Sequence, residues 1–103
     1  MTQNDDVVAS LVQDVRDLIR MKSYGLYELI WTLNTEHPEL DRDQKLSNSM
    51  AALRELVATN NLRIVKLNWP SEDVVGELEL SEIRPTDFDD PPEDMPYTAL
   101  MER

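Results

Sequence analysis

Apolar residues at positions 7, 8, 11, 12, 15, 18 and 19 follow the three-to-four spacing of an amphipathic helix. Asp5 and Asp6 precede them, so a first helix is expected over 6–21, with Gln13, Asp14, Arg16, Asp17 and Arg20 on its solvated face. The densest apolar stretch is Tyr24 to Leu33, where seven of ten residues are large and apolar and Glu28 is the one charge. On a helical wheel Leu26, Leu29, Ile30 and Leu33 make one stripe, and Tyr24, Tyr27 and Trp31 make another. A single buried face does not cover both. This second helix, expected over 24–36 with Ser23 as its N-cap, is therefore either packed between two elements or offers its aromatic stripe to a partner. Pro38 disfavours helical geometry at His37 and ends it.

A third helix is expected over 42–59, with Leu46, Met50, Leu53, Leu56 and Val57 on its apolar side. Arg42, Gln44, Lys45, Ser47, Asn48, Ser49 and Arg54 fall mostly outside that stripe. Asn60 and Asn61 suit a turn, and the period then changes to two. Leu62 to Trp69 and Val74 to Leu80 read as the strands of a hairpin. In the second strand Val74, Leu78 and Leu80 are expected to face inward, and Val75, Glu77 and Glu79 outward. Two strands do not hold together alone in water, so the hairpin must lie on the helices. From Arg84 the chain reads RPTDFDDPPEDMPYTALMER, with four of the six prolines, and is expected to be an acidic, extended arm, either clipped to the domain or free. The fold class is thus α+β, with a domain over 1–83 and an arm over 84–103.

Three helices followed by a hairpin resemble the winged helix-turn-helix superfamily, with LSNSMAALRELVATNNLRIVKL similar to its third helix running into the first wing strand. The resemblance spans about residues 6–80 and implies a wing at 62–80. It also implies DNA reading by helix 42–59, with Arg42, Gln44, Lys45, Ser47, Asn48 and Ser49 at the groove and Arg63 and Lys66 on phosphate. Dimerisation through the first helix or a terminal extension is common in that superfamily, so monomer and homodimer both stay open.

Charge changes that picture. The chain has a formal net charge of -11, distributed as eight acids and three bases over 1–41, two and five over 42–66, and eleven and two over 67–103. Phosphate neutralisation by Lys and Arg normally supplies affinity for DNA, and five bases within an anionic molecule supply little of it. An acidic module instead suits a basic protein surface, as in an inhibitor of the immunity or antitoxin kind. Its contact residues are expected among Glu72, Asp73, Glu77 and Glu79 of the hairpin and Asp87, Asp89 and Asp90 of the arm, with Trp69, Phe88 and Tyr97 as aromatic anchors. The bland alternative is that these acids are simply solvated.

With one histidine, no cysteine and two glycines, the chain shows no recognisable nucleophile–base spacing, phosphate-cradling loop or ligand cluster, so no enzyme activity and no cofactor are expected. Asp41-Arg42-Asp43 opens like a calcium loop, but Leu46 stands where glycine is required and Ala52 where glutamate is. No apolar run reaches a membrane span and the N-terminus is acidic where a signal peptide is basic, so a cytoplasmic protein without membrane attachment is expected.

Overall fold

The computed structural model describes residues 3–20, 23–59, 62–68, 73–90 and 96–102, the backbone alone over 3–5. Helix α1 spans Gln3–Ile19, strand β1 Tyr24–Gly25, helix α2 Leu26–Glu36 and helix α3 Arg42–Thr59. Strands β2 (Leu62–Asn68) and β3 (Asp73–Leu78) follow, then two 3₁₀ turns at Leu80–Glu82 and Pro85–Phe88, then strand β4 (Tyr97–Glu102). The fold is α+β, with three helices and a four-stranded antiparallel sheet in the order β1-β4-β2-β3.

Local chemistry sets the helix ends. The Asp41 carboxylate accepts the Gln44 amide at 2.8 Å while the Gln44 side chain accepts the Asp41 amide at 3.0 Å, a reciprocal cap that starts α3. Helix α2 starts two residues later than its apolar pattern, because Tyr24 and Gly25 pair as a strand with Leu100 and Ala99. Gly25, not Ser23, caps it, and the Gly25 amide donates to Glu28 Oε2 at 2.7 Å. A side chain at Gly25 would force the Tyr27 ring to move, since a Cβ there would lie 2.4 Å from it. At the other end the His37 amide donates to the Leu33 carbonyl at 2.8 Å before Pro38.

The main core joins Leu11 and Val15 of α1, Leu26, Leu29 and Leu33 of α2, Leu53 and Leu56 of α3, and Ile64 and Leu100 of the sheet. A smaller cluster of Val65, Leu67, Tyr97 and Ala99 packs with Tyr27 and Met101. Phe88 and Leu100 lie beyond residue 84 yet belong to the main core.

Three further expectations need correction. The stretch read as an extended arm contains a strand inside the sheet: β4 pairs with β2 from Leu62–Glu102 to Leu67–Tyr97 and with β1 on its other side. Tyr97, Thr98, Ala99 and Leu100 are all buried. A two-stranded hairpin needs further strands or helices for stability, and the last uncharged run of the chain, Tyr97 to Met101, supplies one. Val74, expected inward, is 42% exposed. Lys66 pairs with Gly76 but Leu67 with Val74, so Val75 is an extra residue that resets the alternation on this edge strand. Asn48 and Ser49, placed outside the apolar stripe, are buried, because α3 packs against α1, α2 and β2 at once. Asn60, Asn61 and residues 69–72, between the two expected hairpin strands, lie outside the described residues.

Candidate functional site

One face gathers residues from α2, the second 3₁₀ turn and β4. Tyr27 and Trp31 are one helical turn apart on α2, and Tyr97 opens β4. The Tyr27 ring meets Trp31 edge-on, with centroids 4.8 Å apart at 77°, and Tyr97 likewise, at 5.9 Å and 74°. Trp31 is nevertheless 51% exposed. Burial pushes the Tyr27 phenol above its ordinary pKa, and the negative charge of Glu28 and Asp90 adds to the shift, as does Tyr97.

Three carboxylates stand beside these rings. Pro85 occupies the first position of the 3₁₀ turn and Phe88, buried in the core, ends it, which fixes Asp87, Asp89 and Asp90 in place. Asp87 accepts hydrogen bonds from the Arg84 amide at 2.8 Å, the Thr98 hydroxyl at 2.7 Å and Lys66 Nζ at 3.4 Å. Burial works to raise its pKa, but these donors and the lysine charge outweigh it and hold the carboxyl below its ordinary value. Asp89 pairs with Arg42, and Asp90 accepts the Trp31 indole N–H at 2.6 Å. Two clefts of about 270 Å³ share Asp89 and Asp90, one walled by Tyr27 and Tyr97, the other by Trp31 and Phe88.

Of the partner-contact residues read from the sequence, Asp87, Phe88, Asp89, Asp90 and Tyr97 come together here. Their tasks differ. Asp87 and Phe88 hold the turn on the sheet, whereas Asp89 and Asp90 are exposed. Asp73, Glu77 and Glu79 are not part of this face: they lie on β3 and its exit, at the opposite edge of the sheet from β1. Trp69 and Glu72 lie outside the described residues.

The residues named for DNA are mostly committed elsewhere. Arg42 pairs with Asp89, Arg63 with Glu77 at 3.3 Å and Lys66 with Asp87 at 3.4 Å, so three of the five bases of the middle segment meet carboxylates from the C-terminal third. Lys45 donates to the Asn34 side chain at 2.7 Å, and Gln44 serves the α3 cap. Asn48 and Ser49 are too buried to reach a base edge, whereas Arg42, Gln44 and Ser47 are exposed on that helix. Sequence reasoning had no signal for these pairings, since the Arg42–Asp89 contact joins positions 47 residues apart.

A separate acidic hollow of about 370 Å³ lies among Asp14, Asp17, Glu36, Tyr24 and Thr32. Partial burial, then Glu36, then Asp17 raise the Asp14 pKa there. No group of three acidic, histidine or cysteine side chains suited to a metal occurs among the described residues, and none of their helices is long and apolar enough to cross a membrane. Comparison of the chain with protein-family models, curated proteins and solved structures finds no match.

Proposed function

We propose that this protein is a non-enzymatic interaction module that binds a basic protein through the face made by Tyr27, Trp31, Tyr97, Asp89 and Asp90. The observation that carries this reading is Trp31: a large aromatic ring half out in solvent, braced by Tyr27 and hydrogen-bonded to Asp90. Tryptophan and tyrosine are the side chains that most often dominate binding energy, because they combine a large apolar area with few rotors to freeze. Arg42 and Lys66 offset Asp89 and Asp87, but Asp90 keeps its charge beside the rings, and the net charge of -11 speeds encounter with a cationic surface. A basic nuclease or toxin, covered by this protein as an inhibitor in the cytoplasm, is the form of partner this chemistry suits best.

The winged-helix resemblance and its DNA-reading role are the alternative. Against it stand the buried Asn48 and Ser49 and the internal neutralisation of Arg42, Arg63 and Lys66. The test is capture of partners by the tagged full chain in cell extract, with identification of what is bound, compared across the wild type, the Trp31→Ala variant and the Asp89→Lys/Asp90→Lys double variant. A basic protein held by the wild type and released by both changes supports the reading. Retention by both variants, or specific retention of duplex DNA, contradicts it.

A further inference from the structure

We propose that the cleft between Tyr27 and Tyr97 receives the ammonium group of a lysine from the partner protein. This inference rests on the interaction reading above and names the chemistry of one contact. Tyr27 and Tyr97 meet at 74° with centroids 5.9 Å apart, and both line the cleft, so the two rings form a corner rather than a parallel slot. The faces of aromatic rings carry negative potential and attract cations. A corner of two rings encloses a compact, nearly spherical ammonium from two sides, whereas a planar guanidinium stacks on one ring at a time.

Charge selects the same ligand. Asp87, Asp89 and Asp90 line the cleft, and Lys66 lines it beside them. Lys66 offsets one of these charges by pairing with Asp87, and Arg42 offsets another by pairing with Asp89. Asp90 takes a neutral indole N–H, so its negative charge is not cancelled by either base. The apolar lysine stem runs along the cleft wall, and its ammonium, seated in the corner of the two rings, faces the Asp90 carboxylate. The cleft, at about 270 Å³, has room for one such side chain.

The test is titration of the isotope-labelled full chain with Nα-acetyl-lysine methylamide, followed by NMR at Tyr27, Asp90 and Tyr97. The arginine and norleucine counterparts and tetramethylammonium are run in parallel. The lysine compound is expected to give saturable shifts at these three residues, the arginine compound weaker ones and norleucine none. Tyr27→Phe keeps the ring face and should retain binding, whereas Tyr27→Leu should weaken it by about tenfold. Asp90→Asn, at an exposed position, should weaken it without disturbing the fold and serves if Tyr27→Leu does not fold. Equal response to lysine and arginine, no saturable shift, or tighter binding of tetramethylammonium than of lysine would each overturn the proposal, the last by assigning the cleft to a small quaternary amine. Partner capture without a lysine response removes this inference alone. A lysine response without any captured protein removes the interaction reading and leaves an ammonium site.

Discussion

The indole N–H of Trp31 donates to the Asp90 carboxylate at 2.6 Å, joining helix α2 to the end of a turn 59 positions later in the chain. The contact is solvent-exposed, so its worth to the fold is small and its worth to orientation is larger. It holds a half-exposed ring in one pose against Tyr27.

Trp31→Phe should therefore leave stability nearly unchanged, with a loss of about 1 kcal/mol or less, because the ring contact survives and an exposed hydrogen bond is replaced by water. Urea unfolding followed by circular dichroism measures this. A loss several times larger would mean that Trp31 is part of the core, contrary to its 51% exposure.

Leu100→Ala should be far more damaging, at about 2–5 kcal/mol, since a fully buried leucine leaves a cavity that its neighbours fill only in part. The same unfolding experiment checks it. Residue 100 in a solvated arm would give almost no change, so this variant separates a structural β4 from a loose tail.

Asp87 sets a pH dependence whose sign is fixed by its environment. Burial alone would raise its pKa above the ordinary 3.8, but the Arg84 amide, the Thr98 hydroxyl and Lys66 lower it. A carboxyl with a depressed folded-state pKa contributes stability that is present above the unfolded value and is lost as pH falls through the folded one. Asp87→Asn should cost about 1–2 kcal/mol at neutral pH, as expected for weakening charged hydrogen bonds at a side chain 14% exposed. It should also flatten the acid limb of the stability curve below about pH 4. Unfolding midpoints measured across that range report both effects.

Asp14 has the opposite sign. Its pKa is raised by partial burial and by repulsion from Glu36 and Asp17, so its ionised form opposes folding at neutral pH. Asp14→Asn is expected to leave the neutral-pH midpoint unchanged or raise it, and the difference from wild type should vanish as Asp14 protonates in acid. A lower midpoint at neutral pH would contradict this.

Ser49→Ala tests the assignment of α3 to the interior. The Ser49 hydroxyl is fully buried and without a hydrogen-bond partner among the described residues, so its removal should be neutral or stabilising, by up to about 1 kcal/mol. Gel shift of random duplex at low salt should be the same for this variant and the wild type, with no retarded band from either.

Period made much of the helical half legible and cap residues less: α1 already begins at Gln3, so Asp5 and Asp6 lie inside it, and Gly25 takes the place expected for Ser23. The bounds of α3 follow from Asp41 and the spacing of its leucines, and the buried stripe of α2 is the one its wheel marks at Leu26, Leu29, Ile30 and Leu33. The aromatic stripe was legible as a choice between burial and display, and the structure divides it, with Tyr24 buried and Trp31 exposed. The sheet was less so. A run of prolines and acids ahead of Tyr97 disguises β4, and nothing in a linear pattern says that the last strand enters between β1 and β2. The bulge at Val75 breaks the alternation on which inward and outward positions were judged. Asn48 and Ser49 look solvated by residue type and are buried by their neighbours. For the candidate site, the acids and Tyr97 were visible as residues but their meeting with Tyr27, Trp31, Lys66 and Arg42 is a tertiary fact.

Photo-crosslinking from beside Trp31 is the most direct measurement of the contact face. A benzoylphenylalanine placed at Thr35, exposed on α2 one turn beyond Trp31, and separately at Arg54 on the exposed side of α3, is irradiated in living cells and the adducts are identified by mass spectrometry. The interaction reading requires one basic protein crosslinked at 35 and absent at 54. Adducts of equal yield at both positions, or crosslinks at 54 to DNA and none to protein at 35, would contradict it.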